Sequence, residues 1–212
     1  MTEENQKQHL SDISTELYQA GMITAIGGNI SVRCATREDA AWITPTQIFK
    51  GNLSPDDMVM IDLEGRLLEG DHKPSMESGY HASIFKHRPE INAVVHSHVP
   101  LAILFGLSEM EWVPITTEAI LTSNMPTIPW YPGGSPELAS AVEKHIARSE
   151  APGAFLRNHG LITIGMSLRK AADATYMVEH TIKILLACKL IGQEPAPIPK
   201  ETLDLILSLY GL

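Results

Sequence analysis

Three histidines and a glutamate are the residues of this 212-residue chain whose types and spacing could do chemistry. His96 and His98 follow the apolar run Ala93-Val-Val, which is typical of the end of a buried strand. The two-residue period of a strand puts both imidazoles on one face. His159 precedes a second apolar, strand-like run, and Glu77 lies in the segment Lys73-Pro-Ser-Met-Glu. Converging neutral imidazoles suit a divalent transition metal, so three of them with an open coordination position predict a catalytic metal site.

The elements that must position these residues follow from hydrophobic periodicity. Apolar residues at helical spacing predict an opening helix that stops at Gly21. Ser75 is the predicted N-cap of a helix that reaches about His87, with Glu77 in its first turn. Short strand patterns alternate with helical ones along the rest of the chain. Because no repeat or low-complexity tract interrupts this alternation, we expect a sheet covered by helices in one domain, residues 1–212.

Composition and charge narrow the class of protein. Apolar residues make up 44% of the chain and charged residues 19%, which is ordinary for a soluble globular protein. The net charge of −9 and the absence of a basic stripe argue against nucleic acid as a partner. The two cysteines form no disulfide framework, the polar N-terminus is not a secretory signal, and no apolar run is long enough to span a membrane. We therefore expect a cytoplasmic protein.

Five motifs together resemble the class II, metal-dependent aldolase family that includes L-fuculose-1-phosphate aldolase and L-ribulose-5-phosphate 4-epimerase. Their joint order and spacing is specific, although each motif alone is weak. The motifs are Gly27-Gly-Asn-Ile-Ser, Thr44-Pro-Thr, Lys73-Pro-Ser-Met-Glu, Val94-Val-His-Ser-His and Asn158-His-Gly. The resemblance implies a three-layer α/β/α sandwich with a largely antiparallel central sheet. It also implies a homotetramer with active sites at the subunit interfaces.

The resemblance also implies a role for each matching residue. His96, His98 and His159 would bind the divalent metal, for which zinc is the first expectation and Mn²⁺, Co²⁺ or Ni²⁺ are alternatives. Glu77 would be the acid/base group beside the metal. Five residues would surround and bind the substrate phosphate, and we call them the phosphate cradle: Gly28, Asn29, Thr46, Ser75 and Met76.

The chain departs from the aldolase pattern at several positions. A glycine typically follows Thr-Pro-Thr and a second serine follows Pro-Ser, but this chain has Gln47 and Met76, which thin the phosphate cradle. Glu118 is the best match for the tyrosine that the neighbouring subunit contributes as a proton donor. Tyr210 matches a second aldolase tyrosine and is a candidate catalytic residue. The epimerases carry an aspartate in place of Glu77.

The predicted reaction is retro-aldol cleavage of a ketose phosphate to dihydroxyacetone phosphate and an aldehyde, through a metal-stabilised enediolate. Decarboxylation of a hydroxylated carboxylic acid and dehydration of a sugar phosphate at the same metal remain alternatives. Two other classes compete: a non-catalytic module like the adducin head domain, and a cupin-like oxygenase. The complete set of three histidines with Glu77 disfavours the first, and the long helical stretches disfavour the second.

Two further residues are weighed against ordinary structural roles. His81 lies four residues after Glu77 and so shares its helix face, which makes it a candidate for orienting the site. Lys50 is interpreted as a surface charge. The other histidines are expected to be ordinary polar residues.

Overall fold

A single eight-stranded sheet organises the computed structural model, which describes residues 2–209 apart from the side chain of residue 204. The strand order is β4-β3-β2-β1-β5-β8-β7-β6, and every neighbouring pair is antiparallel except β6 and β7. The sheet therefore matches the predicted, largely antiparallel architecture. Its strands are β1 (Asn29–Arg33), β2 (Ala40–Ile43), β3 (Val59–Asp62), β4 (Leu67–Glu69), β5 (Ala93–Ser97), β6 (Thr127–Ile128), β7 (Gly153–Leu156) and β8 (Gly160–Gly165).

Helices cover both faces of the sheet. They are α1 (Glu3–Gln19), α2 (Ser78–His87), α3 (Pro100–Leu107), α4 (Thr117–Leu121), α5 (Pro136–Val142), α6 (Leu168–Leu190) and α7 (Leu203–Leu209). Apolar residues of α2 and α5 bury one sheet face, and those of α1, α3 and α6 bury the other. Two apolar cores on opposite faces of one sheet make the predicted three-layer α/β/α sandwich, and that prediction is confirmed.

The start of α2 differs from the prediction. The helix begins at Ser78, and Glu77 occupies its N-cap position instead of its first turn. Ser75 forms a tight turn: its Oγ accepts the Glu77 N–H at 3.2 Å, and its carbonyl accepts the Ser78 N–H at 3.0 Å. Serine hydroxyls bind nearby backbone groups in turns as readily as at helix starts. Residues 75–77 therefore form a turn here, and the helix begins after it.

The remaining elements agree with the predicted pattern except where they are short. The opening helix ends beside Gly21, whose φ of 73° is favourable for glycine. Neither α4 nor β6 was predicted, because five and two residues carry too little periodicity to detect. Within the described residues, every helix is too short or too polar to cross a bilayer.

Candidate active site

Neighbouring strands bring the three histidines together. His96 lies on β5, which pairs with β8 so that His96 is opposite Ile162. His98 follows the end of β5, and its N–H donates to the Met22 carbonyl at 3.1 Å. His159 lies in the turn of the β7–β8 hairpin, just before β8. The pairing of β5 with β8 therefore places residues that are 63 positions apart in one cluster, as the sequence predicted.

Two backbone features bring the hairpin close to β5. Asn158 has a φ of 58°, a left-handed conformation that asparagine tolerates better than most residues. Gly160 has no room for a side chain, because an added Cβ would lie 2.2 Å from the Ser97 carbonyl oxygen and 3.2 Å from Cε1 of His96. The Asn158-His159-Gly160 motif thus combines a tight turn with a close approach of two strands.

The geometry of the cluster fits a divalent metal. One ligand atom from each histidine lies within 4.8 Å of the others. Nδ1 of His96 is 3.1 Å from the Leu161 carbonyl, which can only accept, so that nitrogen carries the proton and Nε2 keeps its lone pair. Nε2 of His96 is 3.1 Å from Nε2 of His98, close to the spacing of two tetrahedral ligands bound to zinc at about 2.0–2.1 Å.

Glu77 extends toward the same cluster from the start of α2. Its Oε2 lies 3.3 Å from Nε2 of His96, and its Oε1 lies 3.5 Å from Nε2 of His159. The carboxylate is buried, and Oε1 accepts no hydrogen bond of good geometry from the described residues, although the buried Tyr80 hydroxyl lies near the Glu77 carboxylate. A buried carboxylate oxygen without a well-placed donor, beside three imidazoles, is an arrangement that a bound cation or substrate hydroxyl would satisfy.

A buried hydrogen-bond chain orients Glu77 from behind. Nδ2 of Asn29 donates to Oε2 of Glu77 at 2.8 Å, and Oδ1 of Asn29 lies 2.5 Å from Nε2 of His81. Nδ1 of His81 lies 2.6 Å from Oγ of Ser31. Because the Asn29 oxygen can only accept, His81 donates from Nε2 and accepts the Ser31 hydroxyl proton at Nδ1. The proximity of His81 to the site was predicted from its spacing; its contacts with Asn29 and Ser31 were not.

Burial and neighbouring charges set the protonation states of the site. Burial alone would raise the pKa of Glu77. The opposite effects of His96, the Asn29 hydrogen bond and His159 are larger together, and the pKa of Glu77 falls to about 2. Burial, with His96 nearby, lowers the pKa of His98 to about 3 and that of His159 to about 4. At neutral pH Glu77 is therefore ionised, and His98 and His159 are neutral, the form that binds metals.

All five predicted substrate-binding residues border one cavity of about 130 Å³ beside the histidine cluster. The loop that carries Thr46 meets the loop that carries Ser75 through a hydrogen bond from the Thr46 N–H to the Lys73 carbonyl, at 3.1 Å. Met76 is 67% exposed and lies at the rim. The predicted cavity residues are Gly28, Asn29, Thr46, Ser75 and Met76, and Glu77, His98 and His159 border the same space.

Two residues that sequence reasoning missed also border this cavity. Gly133 lies against the site, since a Cβ added to it would be 3.6 Å from both Oε1 of Glu77 and Cε1 of His159. The Gly133-Gly134 pair in a proline-rich stretch was the available signal. Lys50, interpreted from the sequence as a surface charge, is in fact 1% exposed, and that interpretation is wrong.

The remaining candidates lie elsewhere. Glu118 borders a separate, more open groove along α6, together with Tyr176 and His180, and does not border the histidine cavity of its own chain. Tyr210 falls outside the described residues. Gln47, which stands where the aldolases have glycine, has a φ of 56°, so the backbone at this position keeps the left-handed conformation that glycine favours.

Comparison with known proteins agrees with the fold. The profile of the Class II Aldolase and Adducin N-terminal domain family matches residues 8–186. The chain is 33% identical over 200 residues to a 3-oxo-tetronate 4-phosphate decarboxylase of Haemophilus influenzae, covering 92% of each chain. It is 29% identical over 178 residues to an L-fuculose phosphate aldolase of Methanococcus maripaludis, covering 84% of this chain and 93% of the relative.

A solved structure of an L-fuculose 1-phosphate aldolase superposes with a TM-score of 0.87 at 25% identity, covering 97% of this chain and 96% of that one. The chain therefore belongs to the class II aldolase and adducin N-terminal domain family and is an enzyme of the class II aldolase kind. Class II aldolases use a divalent metal, and this chain has the histidine cluster that could hold one.

Proposed function

We propose that this enzyme decarboxylates a phosphorylated 3-oxo acid that carries a hydroxyl between its carbonyl and its carboxylate. His96, His98 and His159 would hold a divalent metal, with zinc as the first candidate. The observation that carries the proposal is the ionised Glu77 carboxylate, whose Oε1 lies beside those imidazoles and accepts no hydrogen bond of good geometry from the described residues. Two relatives whose names specify phosphorylated substrates support the substrate class.

The reaction breaks the bond between the carboxylate and its neighbouring carbon, and CO2 leaves. The electron pair of that bond moves toward the carbonyl oxygen, where negative charge accumulates. The metal would supply Lewis-acid stabilisation of this charge, worth several kcal/mol. Glu77, being ionised, can accept the proton of the substrate hydroxyl and deliver it to the carbon that has lost CO2. The hydroxyl oxygen then regains a proton from water, so the reaction takes up one proton for each CO2 released.

Retro-aldol cleavage of a ketose phosphate is the second candidate, and the relative from Methanococcus maripaludis favours it. In that reaction the hydroxyl beyond the scissile bond must also lose its proton, and the aldolases place a tyrosine there. Tyr210, the residue that matches an aldolase tyrosine, falls outside the described residues. We place decarboxylation first because it needs no acid/base side chain besides Glu77, and because the decarboxylase relative is 33% identical over 92% of this chain, against 29% over 84% for the aldolase.

We further propose that residues 1–212 act as one domain and assemble as a homotetramer with sites between subunits. The cavity of about 130 Å³ is smaller than the roughly 300–1,000 Å³ of most small-molecule sites. Two large apolar side chains that border it are exposed to solvent, Ile26 at 63% and Met76 at 67%. Trp130, three residues before Gly133 in the sequence, is 57% exposed. Exposed apolar side chains around an open cavity are typical of a surface that a second subunit covers.

The test measures CO2 release from phosphorylated 3-oxo acids and dihydroxyacetone phosphate release from ketose 1-phosphates. Glu77→Gln should keep the metal and lower kcat by about 10²–10⁴-fold, because the proton acceptor is lost while the ligands remain. His96→Ala should lose the metal, and Glu109→Gln, at an exposed position, should change neither property. A Glu77→Gln enzyme with nearly the wild-type rate would remove Glu77 from the mechanism.

A further inference from the structure

Lys50 is a fully buried lysine held at the wall of the cavity. Its N–H donates to the Ala25 carbonyl at 2.8 Å, and its carbonyl accepts the Ser14 hydroxyl at 3.0 Å. Its ammonium donates to the carbonyl of Pro45, which borders the same cavity. Contacts on both sides of the residue therefore fix the backbone from which the side chain approaches the cavity.

The Lys50 ammonium has no counter-ion in the part of the chain that the structure describes, since no carboxylate there forms an ion pair with it. Burial lowers its pKa to about 8, so the side chain still carries its charge through most of the neutral range. An ammonium has three donor hydrogens, and the Pro45 carbonyl uses one of them. A buried, unpaired cation is costly for folding, which points to an anionic partner that comes from outside the protein.

The surroundings of Lys50 show where that partner would bind. Thr46 and Ser75 line the same cavity, and both are hydroxyl-bearing residues. The chain as a whole carries a net charge of −9, which repels an anionic substrate unless a local cation opposes it. Met76 occupies a position at which the aldolases offer a hydroxyl, so the cradle here has one neutral donor fewer. Gln47 keeps its backbone N–H and the left-handed conformation that glycine favours.

We propose that Lys50 is the counter-cation that binds the phosphate group of the substrate and determines the choice of a phosphorylated substrate. This proposal takes from the proposed function the statement that the substrate is phosphorylated. A full positive charge takes the place of the hydroxyl donor that Met76 does not provide, and hydrogen bonds from a charged donor are roughly twice as strong as neutral ones. The phosphate lies at the Lys50 side of the cavity, and the reacting carbons lie toward Glu77.

The experiment measures the affinity of the zinc-loaded protein for inorganic phosphate and for acetate by calorimetry. Lys50→Met should weaken phosphate binding roughly tenfold or more, because a charge-assisted hydrogen bond is lost. Lys50→Arg, which keeps the charge, should retain most of the affinity. Lys170→Met removes an exposed lysine and should leave the affinity unchanged. Unchanged phosphate affinity in Lys50→Met would overturn the proposal. A Lys50→Met protein that loses affinity for acetate but not for phosphate would also overturn it, since Lys50 would then bind a carboxylate.

A second measurement does not depend on the folding of any variant. Sulfate keeps its double negative charge throughout the neutral and alkaline range. Its affinity for the wild-type protein should therefore fall as the pH rises through about 8 and Lys50 loses its proton. Sulfate affinity that stays constant over that range would overturn the proposal.

Turnover separates this proposal from the proposed function. Lys50→Met should raise KM for a phosphorylated substrate far more than it lowers kcat. An active Lys50→Met enzyme with unchanged KM would contradict phosphate binding by Lys50 but not the proposed reaction. The wild-type enzyme could instead bind phosphate through Lys50 but release neither CO2 nor dihydroxyacetone phosphate. That result would contradict the proposed reaction but not phosphate binding by Lys50.

Discussion

At the scale of single residues, the chain from Ser31 through His81 and Asn29 to Glu77 determines how the carboxylate is presented. His81 is fully buried, and its Nε2–H fixes which end of the Asn29 amide faces Glu77. If the amide turned over, its oxygen would face the carboxylate and repel it. His81 is therefore a positioning residue that acts on Glu77 through Asn29.

Replacing His81 tests this positioning role. His81→Gln should lower kcat by roughly tenfold with little change in metal content, since support around a site typically contributes effects of that size. The measurement compares kcat, KM and bound zinc with those of wild type. His180→Gln, at an exposed position, is the matched control. Loss of zinc in parallel with activity would instead make His81 a support for the metal cluster.

The pH dependence of stability should report the same residue. Burial, with a smaller effect from His96, lowers the pKa of His81 from 6.5 to about 3. Below 6.5 the unfolded chain takes up a proton that folded His81 does not, so stability falls as the pH drops from about 6.5 toward about 3. Urea unfolding at about pH 7 and about pH 5 should show a smaller loss of stability in His81→Gln than in wild type. An equal loss in both proteins would contradict a neutral, buried His81.

At the scale of elements, the β7–β8 hairpin positions His159 relative to β5. Gly160 allows this approach, because a Cβ there would collide with the Ser97 carbonyl oxygen. Gly160→Ala should displace the hairpin and weaken zinc affinity by roughly 10–100-fold, as measured by competition with a chelator. In the control, Gly106→Ala, the added Cβ meets its nearest neighbour at 3.7 Å, an ordinary contact that should leave zinc affinity unchanged. Equal affinities in the two variants would show that the hairpin can shift without affecting the cluster.

The sequence predicted those elements whose pattern is local and repeated. The strand period before His96 and His98 correctly placed both imidazoles on one side, and the motif order identified the fold. The start of α2 was misplaced because Ser75 can cap a helix or close a turn, and only packing decides between them. Lys50 was misjudged because its burial depends on the packing of α1 and the Ala25 loop against its turn, contacts that leave no local pattern.

At the scale of the whole molecule, the loop from Pro129 to Ser135 borders the cavity through Gly133 and exposes Trp130. If a second subunit covers this region, Trp130→Asp should shift the protein from a tetramer to smaller species, because an unpaired carboxylate would be buried in the contact. Sedimentation velocity measures the change. Met166→Asp alters an equally exposed side chain before α6, and its mass should stay that of wild type. A tetramer that persists in Trp130→Asp would place the subunit contact elsewhere.

The division of the site between strands and loops has an evolutionary consequence. His96 is held in register by paired strands, whereas Thr46, Ser75 and Gly133 belong to connecting segments. A one-residue slip of β5 would turn His96 to the opposite side of the sheet, so insertions and deletions there are heavily penalised. The connecting segments tolerate such changes. Descendants of one ancestral scaffold could thus diversify in the compounds they accept while inheriting the same electrophilic centre.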